Sequence, residues 1–143
     1  MSEKRRQVFL VLIILLMAAR SPAFAAAPEK AVITAPPGSV ERKLILDALR
    51  NKMQHMHGLE MVFIVKYLKV QDGWAWIHTF PQSPDRENRY EDVSALLRKH
   101  GTMWGVAEIA CAEEDNNQCI GSPQYFRLLK KRFPRLPAEI LPE

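Results

Sequence analysis

"LEMVFIVKYLKVQDGWAWIHTF", residues 59 to 80, is the stretch that decides the fold. Its first half, to Val70, is rich in β-branched and aromatic residues, and its last seven residues, Trp74 to Phe80, alternate as a strand does. Gln71-Asp72-Gly73 between them is a turn signal. The stretch therefore reads as a β-hairpin. Successive strand side chains point to opposite sides, so Trp74, Trp76, His78 and Phe80 share one face and Ala75, Ile77 and Thr79 the other.

Downstream, "PQSPDRENR" (81–89) is a long polar connection with two prolines. "VSALLRKH" (93–100), a turn at Gly101 and "MWGVAEIAC" (103–111) make a second hairpin. "SPQYFRLLKKRF" (122–133) reads as a C-terminal helix, with Ser122 able to cap it, Pro123 at its first position and Pro134 stopping it. Upstream, Ser39 is a plausible N-cap for "VERKLILDALRNKMQHMH" (40–57), Glu41 sits in its first turn, and Gly58 is a natural left-handed stop. Helix, two antiparallel hairpins, helix is an α+β layer architecture. A curved four-stranded meander wrapped over the N-terminal helix, as in cystatin-like or nuclear-transport-factor-like folds, is the expected arrangement.

The first 25 residues read as a signal peptide. Lys4, Arg5 and Arg6 precede the apolar run "VFLVLIILLMAA" (8–19), and Ala23 and Ala25 supply the small residues that signal peptidase requires. Twelve apolar residues fall short of the roughly 20 that span a bilayer. No cysteine stands near Ala25 to accept a lipid, so the expectation is a periplasmic or secreted protein with no stable span after cleavage. Residues 1–25 carry four bases (Lys4, Arg5, Arg6, Arg20) against Glu3, a net +3, so their removal lowers the formal charge from +4 to +1. The basic character belongs mostly to the leader and gives no ground for nucleic-acid binding. Residues 26–38, rich in Ala and Pro, read as an extended tether, and 39–143 as one domain.

Cys111 and Cys119 survive cleavage and enter an oxidising compartment, where a disulfide is the default for so short a loop. A metal or redox pair would need Cys-x-x-Cys spacing or further cysteines, and the chain has two cysteines in all. The acidic loop between them, "AEEDNNQ" (112–118), lacks the spaced ligands and mid-loop glycine of a calcium loop.

"MQHMHGLEM" (53–61) invites a soft-metal reading, since thioether and imidazole suit monovalent copper or silver. At about 100° per residue, Ile45, Leu46, Leu49, Met53 and Met56 fall on one arc. Both methionines thus continue the apolar stripe and are expected in the core. His55 and His57 flank it about 160° to 200° apart, too divergent to share a metal while the helix lasts. His55, Met56 and His57 are accordingly the weaker of the candidate sites, and no metal or cofactor is expected.

Two further candidates remain. The face carrying Trp74, Trp76, His78 and Phe80 either floors a ligand pocket or packs the N-terminal helix, with His78 at its polar edge; core packing is favoured. Arg127, Lys130, Lys131, Arg132 and Arg135 give the C-terminal helix a basic end. They are either solvated cations that suit a helix C-terminus or a patch for an anionic envelope component such as phospholipid head groups, or for an acidic protein surface.

"PPGSVERKLILDALR" (36–50) resembles a motif of small exported bacterial proteins of unknown function. The likeness extends to "GWAWIHTFPQ" (73–82), "VSALLRKHGTMWGV" (93–106) and "FPRLPAEILP" (133–142). The resemblance implies export and a compact α+β domain, and no catalytic residue carries over from it. The first functional expectation is a non-enzymatic accessory or protein-interaction module of the cell envelope, with the basic helix and the 81–89 loop as its first surfaces. A small-ligand pocket on the aromatic strand, with or without chemistry, is the alternative. Periplasmic copper or silver binding is the second alternative.

Overall fold

The computed structural model describes residues 31–142; the leader over 1–25 and the first part of the tether, 26–30, lie outside them. Helix α1 (Val40–His57) is followed by strands β1 (Val62–Gln71), β2 (Trp74–Gln82), β3 (Val93–His100) and β4 (Met103–Ile109). Helix α2 (Tyr125–Arg132) and one 3₁₀ turn (Ala138–Ile140) complete the order. The strands form one antiparallel sheet in the order β1-β2-β3-β4. This is an α+β fold with one helix before the meander and one after it.

The first hairpin closes through Asp72 and Gly73, whose φ angles of 50° and 75° are both positive. A two-residue loop with that geometry matches the right-handed twist of the flanking strands. It sets Gln71 opposite Trp74. Ser39 caps α1, its Oγ accepting from the Arg42 amide at 3.3 Å, and Gly58 ends the helix at φ 69°. Asp47 accepts from Lys43 and Arg50, each at 2.5 Å. The Lys43 hydrogen bond, reinforced by Arg50, holds its carboxyl below the usual carboxylate range against a smaller effect of burial.

Both faces of the sheet are covered, and the helices divide them. α1 lays Ile45, Leu49 and Met53 against Ala75, Ile77, Ala95 and Leu97. On the other side Tyr125 and Leu129 of α2, with Leu136 and Ile140, cover Trp74, Trp76 and Leu96. The tryptophan face therefore packs the C-terminal helix, where the sequence pointed to the N-terminal one. The reason lies in volume. The α1 side meets Ala75, Ile77 and Thr79, which let a long helix approach closely, whereas the tryptophans fill the space beneath a shorter helix. Trp76 meets Phe126 edge-on at 5.4 Å, and Trp74 meets Phe133 at 5.6 Å.

Several boundaries shift for identifiable reasons. α2 begins at Tyr125, three residues after Ser122; the Ser122 hydroxyl accepts from the Gln124 amide at 3.2 Å and so builds a turn ahead of the helix. β4 ends at Ile109, and β2 runs on through Pro81 and Gln82. The 81–89 segment is thus less open than its composition suggests: Pro81, Gln82 and Ser83 are buried. The Pro81 carbonyl accepts from Tyr90 at 3.0 Å, and the Ser83 amide donates to Asn88 at 2.9 Å. The described part of the tether is docked. Ile33 and Val70 exchange backbone hydrogen bonds at 2.9 and 2.8 Å, and Ala35 is buried in the α1 core.

Cys111 and Cys119 form a disulfide with Cα atoms 4.7 Å apart. Closing a loop of that length stabilises the fold by about 2.5 kcal/mol through the entropy of the unfolded chain. The bridge pins the buried Cys119 and, with it, the start of the segment that leads into α2.

Candidate functional site

A largely apolar recess lies where the C-terminal end of α1 overhangs one end of the sheet. It is a cleft of about 350 Å³, within the range of pockets that take a small ligand or an anchoring side chain, roughly 300–1,000 Å³. Five segments build it, one of them Pro81 of β2. Met53 and His57 come from the last turns of α1, Leu59 and Met61 from the connection into β1, Tyr90 to Val93 from the entry to β3, and Ile109 to Ala112 from the end of β4 and the disulfide. Arg50 steadies one wall by donating from Nε to the Met61 carbonyl at 3.4 Å. Met53, Met61 and Val93 are buried, while Tyr90 and Ile109 are half-buried and Leu59 is 44% exposed. His57, Glu91 and Asp92 lie on its polar side. Two methionines give such a lining the adaptability to fit more than one apolar shape.

Of the Met/His stretch, the helix keeps only part together. α1 runs unbroken through His57, and the His55 ring nitrogen Nδ1 lies 2.9 Å from the Asn51 carbonyl, turned back along its own helix. Met53 is buried as expected, but Met56 is 51% exposed. The apolar arc is narrower than the wheel suggested, its buried residues being Ile45, Leu49 and Met53. Among the described residues no group of three or more His, Cys, Asp or Glu is placed to hold a metal ion.

The aromatic strand splits in two. Trp74 and Trp76 are core, at 5% and 1% exposure. His78 and Phe80 lie beyond the end of α2 and are half-buried, their rings 5.5 Å apart. Ile64 pairs with Phe80 on the neighbouring strand and is half exposed. His78 has a partner that the sequence did not disclose: Asp92 Oδ2 lies 3.1 Å from Nε2. The register that sets Thr79 opposite Val93 brings Asp92 there. No local spacing signals it, because the pairing runs through the 81–89 connection, whose path is fixed by the Gln82–Arg89 bridge and by the backbone bonds of Ser83 to Asn88 and Tyr90 to Pro81.

The basic residues are also separated. Arg132 is committed within the fold, its Nη2 donating to both oxygens of Glu108 at 2.6 and 2.7 Å. Tyr125 donates its hydroxyl to the same carboxylate at 2.9 Å. Burial, and then the charge and hydrogen bond of Glu108, raise the Tyr125 pKa far above its ordinary 10.0. The unfolded chain releases this proton near pH 10 while the folded chain retains it. The associated stability is present below pH 10 and declines as the pH rises above it. Tyr125→Phe should flatten that alkaline decline by up to ~1.4 kcal/mol per pH unit, read from urea unfolding at pH 9 to 11. Equal slopes in both proteins would show that the hydroxyl titrates freely.

Arg127, Lys130, Lys131 and Arg135 are exposed, and none has an acidic partner among the described residues. No helix among the described residues is long and apolar enough to cross a membrane. Compared with family models, curated proteins and solved structures, the chain matches none.

Proposed function

We propose that the chain is an exported accessory protein of the cell envelope that works by binding, and that the cleft beneath the end of α1 takes an apolar anchor of a partner polypeptide. The observation that carries this reading is the cleft itself. An adaptable floor of Met53, Met61, Val93 and Ile109 is bordered by His57, Glu91 and Asp92, so an apolar side chain enters while its flanking backbone meets polar groups. Hot-spot recognition takes this form, a buried apolar anchor surrounded by polar contacts that exclude water. The leader-like first 25 residues and the disulfide support an oxidising, extracytoplasmic setting. The likeness to small exported proteins points the same way.

A photo-cross-linking residue placed at Leu59 or at Tyr90 in the exported chain should capture one discrete envelope polypeptide, and the same residue at Lys43 should not. Ala112→Trp at the mouth of the cleft should reduce the adduct about tenfold or more, the effect of losing a buried anchor. Equal capture from all three positions, or from none, rejects the cleft as the binding site.

The small-ligand alternative contracts to the outer end of the aromatic strand. With Trp74 and Trp76 buried, only His78, Phe80 and their neighbours Ile64 and Asp92 are placed to meet a ligand there.

A further inference from the structure

We infer that the outer face of α2 is a docking surface for an anionic phospholipid bilayer. This inference uses the face of the molecule opposite α1 and does not depend on the occupant of the cleft.

The helix buries Tyr125 and Leu129. At about 100° per residue the opposite arc carries Arg127, Lys130 and Lys131, all exposed, and α2 contains no acidic residue. Arg135 follows immediately and is exposed. The sheet adds cations on the same side. Arg98 pairs with Trp74 and Lys69 with Trp76, the face that α2 covers. Arg98 lies over the Trp74 ring at 5.0 Å from its centre, and Trp74 in turn meets Phe133 just past α2. Glu108, the acid beneath this helix, is consumed by Arg132 and Tyr125 and does not neutralise the outer field.

Four exposed cations from α2 with the turn after it, and the half-buried Lys69 and Arg98 from two strands, thus come to one side. Their spacing follows three unrelated elements, so a partner with fixed acidic positions would have to match all three. A fluid sheet of anionic head groups satisfies any spacing. Each base near such a surface strengthens binding about fivefold, and the attraction fades within a Debye length, about 10 Å at 0.1 M salt. The acidic residues Glu113, Glu114 and Asp115 precede the N-terminal end of α2 in the chain. Repulsion there tilts the molecule so that the C-terminal end of the helix leads.

The test is co-sedimentation of the protein, purified from the envelope that receives it, with vesicles. One set holds about one-third phosphatidylglycerol in phosphatidylcholine and the other phosphatidylcholine alone. Binding should be confined to the anionic vesicles and be lost at 0.5 M sodium chloride. Lys130→Glu with Lys131→Glu should weaken it by about 100-fold or more, since four units of charge change at the surface. Lys131→Glu alone should weaken it far more than Lys52→Glu, which makes the same charge change on the opposite face. All these residues are exposed, so circular dichroism should show each variant folded. Equal losses from Lys52→Glu and Lys131→Glu would reduce the effect to net charge and overturn the docking face. Equal binding to neutral vesicles, or no binding to the anionic ones, would overturn it too. So would stoichiometric binding to an acidic protein with none to the vesicles.

Discussion

Trp76→Ala should destabilise the protein by about 3–5 kcal/mol, as expected for removing a buried aromatic side chain. His78→Ala, two residues along the same strand face, should cost less than about 1 kcal/mol. The contrast follows from where α2 stops. Trp76 is 1% exposed and touches two rings of the C-terminal helix, Tyr125 at 6.3 Å and Phe126 at 5.4 Å between centres. No smaller side chain fills that volume, because helix and strand are both held by other contacts. His78 loses a partly solvated bond to Asp92, whose side chain is 54% exposed, and a tilted ring contact with the half-buried Phe80. Urea unfolding of both variants reads the difference as a shift of midpoint at unchanged slope. A nearly neutral Trp76→Ala would return the aromatic strand to the role of a pocket floor.

That experiment bears on the point where sequence and structure part. Alternation along 74–80 correctly separates the tryptophans from Ala75, Ile77 and Thr79, since strand geometry leaves no choice. Alternation does not say which helix covers which side. A signal was nevertheless present. Ala75 and Ile77 on β2, with Ala95 and Leu97 on β3, are apolar opposite a face that is also apolar, and a sheet apolar on both sides needs a layer on each. The disulfide, the Asp72-Gly73 turn and the limits of α1 were readable because each rests on residues close in the chain. The cleft was not, for it joins the end of α1 to the far ends of β3 and β4 through segments up to about sixty positions apart. Asp92 beside His78 was hidden for the same reason.

The second large effect is expected at Leu49. Replacement by alanine should cost about 2–5 kcal/mol, while Met56→Ala should stay within about 0.5 kcal/mol. Both residues lie on the apolar arc of α1, and helical periodicity alone ranks them together. The structure does not. Leu49 is fully buried between Ile45 and Met53 over the small side chains of β2 and β3, whereas Met56 stands half exposed. Leu→Ala leaves a cavity that the sheet beneath, fixed by its backbone hydrogen bonds, does not relax to fill. At Met56 no such volume is emptied, and alanine's helix propensity offsets what little contact is lost. For a domain of this size the Leu49 variant should melt about 10 °C or more below the parent, and the Met56 variant within about 2 °C of it. Comparable losses at both positions would mean that α1 is covered to its last turn. The cleft beneath it, and the binding proposed there, would then have no room to exist.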